Sequence, residues 1–171
     1  MYAKYEEFDL VSVPCVKEEN NKPTEIIKNL YVSGIFEMRK KLDNCNIKHT
    51  IKLTSKDVRE FYYPKDFNEN NCMYIEIEDS PSVNITKYLQ STYEFIEDKL
   101  NNNTPILVHC MAGVSRSVTI IIAYLMKKYN LTYLGALNYV KSRRTVANPN
   151  RGFQEQLQNY ELFLEDTRKY V

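Results

Sequence analysis

Short apolar runs alternate along this chain with longer stretches in which apolar residues recur every three to four positions, so strands and helices are predicted to take turns. Ile26-Ile27-Lys28-Asn29-Leu30-Tyr31-Val32 reads as a first strand, and Ser33-Gly34 as a turn into an amphipathic segment from Ile35 to Leu42. Ile47 to Leu53 reads as a second strand. Met73 to Ile77 alternates toward another and stops at the loop Glu78-Asp79-Ser80-Pro81. Thr86 is placed to cap a helix in which Leu89, Tyr93, Ile96 and Leu100 share a face, down to the turn-forming tract Asn101-Asn102-Asn103. Ile106 to His109 reads as a buried strand and Ser115 to Lys128 as the helix after it. Thr132 opens a further helix with Leu134, Leu137 and Val140 along one side, and Gly152 to Arg168 forms the last. Strands separated by helices imply an α/β fold, a central mostly parallel sheet flanked by helices.

Composition adds boundaries to this picture. With 171 residues, 43% of them hydrophobic, and no internal repeat, the chain can bury one real core. Residues 1–24, with the polar stretch Lys17 to Pro23, read as an N-terminal extension, and 25–171 as the folded domain. A formal charge of +1 exerts no global pull toward nucleic acid or membrane, so charge has to act locally. Cys15, Cys45, Cys72 and Cys110 are widely spaced without a C-x-x-C pair, which argues against a disulfide framework or a zinc site and for a reducing compartment. No apolar run reaches the length of a membrane span, and Met1-Tyr2-Ala3-Lys4 carries neither a signal-peptide core nor the glycine that myristoylation needs. The expectation is a soluble cytoplasmic protein, with the nucleus as the alternative.

One stretch carries chemistry. His109-Cys110-Met111-Ala112-Gly113-Val114-Ser115-Arg116-Ser117 joins the strand to the helix, which predicts an anion-binding loop with a thiol inside it. Phosphate fits such a loop, and a thiol against bound phosphorus suggests nucleophilic displacement at a phosphate ester. Cys, five residues, then Arg is a weak pattern alone. His109, Gly113, Ser115 and Ser117 in their places make it specific, against the plain alternative of a buried structural cysteine. A thiol is mostly protonated at neutral pH, so the loop amides, the helix N-terminus and Arg116 are needed to keep Cys110 ionised. Arg116 has a planar fork able to hold two phosphate oxygens at once. This assignment requires a Cys110 sulfur that is not buried away from solvent and an Arg116 turned inward.

Expulsion of an alkoxide or phenoxide is slow unless the oxygen is protonated as it leaves, so a carboxylic acid has to reach it from another loop. Asp79, 31 residues before Cys110 and at a strand end, is the candidate. Glu76 and Glu78 compete with it, although alternation places both on one solvated face.

The loop resembles the signature of cysteine-dependent protein phosphatases, and Ala112 to Ser117 followed by Ala123-Tyr124-Leu125-Met126 is most similar to the dual specificity phosphatases. Leu30-Tyr31-Val32-Ser33-Gly34 resembles the family's opening strand, and Val140 to Arg144 with Pro149 to Phe153 its closing segment. The resemblance implies hydrolysis of phosphotyrosine and phosphoserine or phosphothreonine through a phosphocysteine, without metal or cofactor, on phosphorylated protein partners. It implies Asp79 as general acid and then base, Ser117 as the hydroxyl that steadies the departing sulfur, and His109 as an orienting residue behind the nucleophile. Arg144, with Arg143 beside it, matches a substrate-rim arginine that attracts a second phosphate or an acidic residue. The plain reading of both as helix C-terminal cations stands alongside.

The chain is short for a tyrosine-only phosphatase and is similar to the small atypical members, in which a shallower pocket is expected. Three alternatives accompany this reading: a pseudophosphatase that binds phosphoproteins without turnover, an RNA 5′-triphosphatase, and a phospholipid phosphatase. Met111, Ala112 and Val114 include no basic residue of the lipid-directed kind, and Ser115-Arg116-Ser117 stands where the RNA-directed relatives have Asn-Arg-Thr. No basic stripe supports nucleic acid. Lys52 departs from the family's usual polar Asn, and Ala147-Asn148 lengthens the stretch before Pro149.

Overall fold

A computed structural model describes residues 22–35, 47–55 and 71–169. The predicted segment Ile35 to Leu42 falls almost wholly outside the described residues, as does most of the N-terminal extension. Five strands and four α-helices are described: β1 (Thr24–Ile27), β2 (Leu30–Ser33), β3 (His49–Thr54), β4 (Cys72–Glu76), α1 (Leu89–Asn101), β5 (Ile106–His109), α2 (Arg116–Tyr129), α3 (Tyr133–Arg143) and α4 (Arg151–Arg168). A 3-10 turn, Thr86–Tyr88, leads into α1. The strands lie in the order β1-β2-β5-β3-β4, with β1 antiparallel to β2 and the other pairs parallel. The expected mostly parallel sheet flanked by helices is therefore the fold. The loop with Cys110 and Arg116 leaves β5, the middle strand, where parallel neighbours on both sides fix its end.

Helix α2 explains why the core closes behind that strand. Arg116 through Met126 are all buried, so the helix has no wet face over that length; it packs against the sheet, α1, α3 and α4. Its Ile120, Ile121 and Ile122 join Ile51, Leu53, Ile106 and Val108 in one apolar cluster, each such side chain contributing about 1.5–3 kcal/mol by burial. Asn130 in the left-handed conformation ends it.

Three local expectations are corrected. The run Ile26 to Val32 is two strands, because Lys28-Asn29 forms a tight turn with Asn29 at φ 67, a conformation asparagine tolerates better than most residues. Thr86 does not cap α1; the Asn84 side chain accepts from the Thr86 backbone N–H at 2.9 Å at the entry to the 3-10 turn. In α3 the buried positions are Tyr133, Ala136, Val140 and Arg143, one residue out of phase from the predicted face at its start, and Leu134 is 63% exposed. The aromatic body of Tyr133 goes inward in its place. Thr132 does cap α3, accepting from the Gly135 N–H at 3.0 Å.

Candidate active site

The loop from Cys110 to Ser115 turns back on itself at Gly113, whose φ is +67. A Cβ there would lie 2.5 Å from backbone atoms of Ser33 and Gly34 and 2.6 Å from an Arg144 nitrogen, so both conformation and space demand glycine. Four successive loop carbonyls are tied from outside. Ile35 N–H donates to Met111 O at 3.0 Å and Asn148 N–H to Val114 O at 2.9 Å. Arg144 donates from Nη2 to Ala112 O at 3.3 Å and from Nε to Gly113 O at 2.7 Å. Carbonyls held outward leave the peptide N–H groups of the same turn to face inward, the arrangement of an anion-binding nest. Gly113 N–H does so, pointing at the Cys110 sulfur at 3.3 Å.

Around that sulfur the motif residues converge. Ser117 Oγ lies 3.2 Å from Sγ, at the first turn of α2. Arg116 is turned inward: Nη1 donates to Ile77 O at 3.0 Å, and Nε is 3.9 Å from Asp79 Oδ2. Its buried Nε–H has no hydrogen-bond acceptor among the described residues, an uncommon state for a guanidinium inside a protein. Of the two conditions that the sequence assignment set, the inward Arg116 is met, but the requirement that the Cys110 sulfur not be buried away from solvent is contradicted. Cys110 is only 1% exposed, because its backbone ends a central strand and its side chain forms the floor of the loop. Outside it, Ala112 is exposed and Met111 and Val114 are half-buried, so any reagent meets these residues first.

Asp79 follows β4 and reaches the same place. Its Oδ1 accepts from Ser115 Oγ at 2.7 Å and from Asn150 Nδ2 at 2.8 Å. Glu76 and Glu78 are exposed, and no hydrogen bond from either side chain to the loop is found among the described residues. Asp79 is thus the carboxylate brought to the loop.

His109 is fully buried, with Lys52 paired to it across the β3–β5 ladder. Burial, reinforced by the Lys52 ammonium, pushes its pKa down to about 3, against the raising effect of a hydrogen bond with the Cys110 backbone. The ring is neutral at physiological pH.

Arg144 is where the sequence expectation fails. Instead of standing at a substrate rim it is 4% exposed, with its guanidinium occupied by two loop carbonyls and by Thr24 Oγ1 at 3.1 Å. Residue 144 ends α3 with extended backbone, which sends the side chain beneath the loop rather than out to solvent. Arg143 is also buried, its guanidinium 5.4 Å from the centre of the Tyr139 ring.

Sequence reasoning gave Asn150 no role, although it joins three parts of the site. Its backbone N–H donates to Ser115 Oγ at 3.0 Å, its Nδ2 to Asp79, and its Oδ1 caps α4 by accepting from Phe153 N–H at 2.9 Å. An asparagine three residues before the first apolar residue of a helix was the available signal for the cap. Nothing in the sequence signalled the contact to Asp79.

Residues 30–163 match the family model of the dual specificity phosphatase catalytic domain. The chain belongs to the dual specificity phosphatase family. It is 36% identical over 154 residues to dual specificity protein phosphatase 1 of Arabidopsis thaliana, covering 89% of this chain and 75% of that protein. A probable dual specificity protein phosphatase of Dictyostelium discoideum is 36% identical over 150 residues, 87% of this chain; the match spans only 36% of that longer relative. Among solved structures, the human tyrosine phosphatase-like serine/threonine/tyrosine-interacting protein superposes with a TM-score of 0.76 at 32% identity, covering 84% of this chain and 97% of that one. The dual specificity phosphatase domain thus includes the loop, Asp79 and Asn150. Among the described residues no helix is long and apolar enough to cross a membrane.

Proposed function

We propose that this chain is a protein phosphatase of dual specificity, hydrolysing phosphotyrosine and phosphoserine or phosphothreonine in protein substrates through a phosphocysteine. The Cys110 thiolate attacks phosphorus while the ester bond breaks, and Asp79 gives its proton to the departing oxygen. Met111 to Arg116 hold the three non-bridging oxygens, the guanidinium of Arg116 meeting the charge that spreads over them in the transition state. In the second step Asp79, now a base, takes a proton from water as it attacks the phosphocysteine. Sulfur leaves as thiolate, and the Ser117 hydroxyl, 3.2 Å away, donates to it.

A single observation carries the reading: a sulfur on the floor of a loop whose four carbonyls from Met111 to Val114 are drawn outward, next to a buried Arg116 N–H that has no acceptor among the described residues. A structural cysteine needs none of this. The alternative of a phosphoprotein-binding pseudophosphatase gains interest from the solved neighbour named tyrosine phosphatase-like. The convergence of Asp79, Cys110, Arg116 and Ser117 favours turnover, since binding alone requires neither the acid nor the hydroxyl beside sulfur.

Rapid-quench kinetics with a 32P-labelled phosphotyrosine peptide test both steps. Transient label on the wild-type protein, absent from Cys110→Ser, and sustained phosphate release are expected. Iodoacetate should inactivate the protein, with inorganic phosphate protecting it. A wild-type protein that binds the peptide without releasing phosphate, or whose Cys110→Ser variant turns over normally, would refute the proposal.

A further inference from the structure

The loop that carries Asp79 is held by one helix. Asp79 and Pro81 to Asn84 are largely exposed, and a surface loop of this kind is ordinarily mobile. Here the start of α4 grips it at successive points. Asn150 Nδ2 donates to Asp79 Oδ1 at 2.8 Å. Gly152 lies flat against Pro81, so close that a Cβ would sit 1.9 Å from the Pro81 carbonyl oxygen. One turn on, Gln156 pairs with the loop twice, accepting from Ile85 N–H and donating to Val83 O, both at 2.8 Å.

We propose that Asn150, Gly152 and Gln156 form a seat on α4 that holds the acid loop over the phosphate-binding loop before substrate arrives, with Asn150 as the positioning residue for Asp79. This rests on reading Asp79 as the general acid. Asn150 has no slack to give, because its Oδ1 caps the helix and its backbone N–H reaches Ser115 Oγ, the other donor to Asp79 Oδ1. With two donors on Oδ1, that oxygen is the pinned one. Oδ2, 3.9 Å from Arg116 Nε, is the oxygen left to carry the proton to the leaving group. An acid fixed in this way needs no loop closure at the moment of reaction.

The test is the dependence of kcat/KM on the leaving group, measured from p-nitrophenyl phosphate to phenyl phosphate for wild type, Asp79→Asn, Asn150→Ser, Gly152→Ala and Asp79→Asn/Asn150→Ser. A good leaving group needs the acid least, so loss of positioning shows as a steeper dependence, whereas general loss of structure lowers all substrates alike. Serine keeps a capping oxygen but cannot reach Asp79, and thermal melting confirms that this variant is folded. The seat predicts at least about a tenfold greater loss on phenyl phosphate than on p-nitrophenyl phosphate for Asn150→Ser and Gly152→Ala. It also predicts a dependence in the double variant no steeper than in Asp79→Asn alone. A wild-type dependence in Asn150→Ser, or an equal loss on every substrate, overturns the seat while Asp79→Asn still reports the acid. If Asp79→Asn itself keeps the wild-type dependence, the acid assignment fails and the seat falls with it.

Discussion

Replacing Arg144 separates two accounts of the same residue, as a clamp on the phosphate-binding loop and as a cation for substrate. Its guanidinium donates to the carbonyls of Gly113 at 2.7 Å and Ala112 at 3.3 Å, and the side chain is almost fully buried. Each hydrogen bond from a charged group contributes about 1.5–3 kcal/mol, and a buried carbonyl left without its donor costs about 1–3 kcal/mol. Water can reach only part of the vacated space in Arg144→Met, which keeps much of the apolar bulk. A net destabilisation of about 3–5 kcal/mol follows from the loss of these two charged hydrogen bonds. For a domain of this size that lowers the melting temperature by about 10–15 °C. Freed carbonyls also let the loop peptides rotate, so even p-nitrophenyl phosphate, which has nothing beyond the phosphate for a rim to recognise, should lose at least about tenfold in kcat/KM, equivalent to 1.4 kcal/mol of transition-state binding. Arg144→Lys restores the charge but cannot span two carbonyls and should recover only part of the loss. A rim cation behaves differently: exposed charge pairs are worth about 0–1 kcal/mol, and only acidic or doubly phosphorylated peptides would be affected. The clamp is refuted if Arg144→Met melts within about 2 °C of wild type and keeps its aryl phosphate kcat/KM within about twofold while losing only acidic peptides.

Two further outcomes follow from groups around the loop. Gly113→Ala should lose about 1–2 kcal/mol from the left-handed backbone alone, and more as Ser33 and Gly34 are pushed away, with phosphate inhibition weakened in parallel; urea unfolding and inhibition by inorganic phosphate measure the two. His109, with its pKa lowered from 6.5 to about 3, makes stability fall with pH, because the unfolded chain takes up the proton first. Its share is nearly absent at pH 7, reaches about 2 kcal/mol of destabilisation by pH 5, and continues toward pH 3. A His109→Gln variant should therefore lose about 2 kcal/mol less between pH 7 and 5 in urea unfolding; equal losses in the two proteins would contradict a buried neutral ring.

The parts of the site that the sequence made legible are those whose geometry is local. Strand, loop and helix from Ile106 to Tyr129 are contiguous, so Cys110, Arg116 and Ser117 are positioned by backbone that short-range pattern predicts. Asp79 is legible for a similar reason, since it follows a strand that runs in the same direction as β5 and so finishes at the same edge. Arg144 failed because a helix C-terminus leaves a long side chain two directions, solvent or core, and tertiary contacts alone chose the core. Asn150 was hidden because its partners lie 35 and 71 residues away. The split of the first strand is not marked in the sequence, because Lys28-Asn29 lacks the glycine that marks most tight hairpins.

A common logic links the legible and hidden residues. Inward N–H groups around Cys110 can be presented only if every carbonyl of the same turn finds a donor outside it, because a buried carbonyl without a partner costs as much as the inward contacts gain. Those donors come from segments remote in sequence: Ile35 after β2, Arg144 at the end of α3 and Asn148 before α4. The nine-residue motif therefore specifies chemistry but not its own shape. Its shape is set by a ring of backbone and guanidinium donors, of which only the guanidinium can be removed by a side-chain substitution. That makes Arg144 the position where the loop's geometry is open to experiment without altering any residue that touches phosphate.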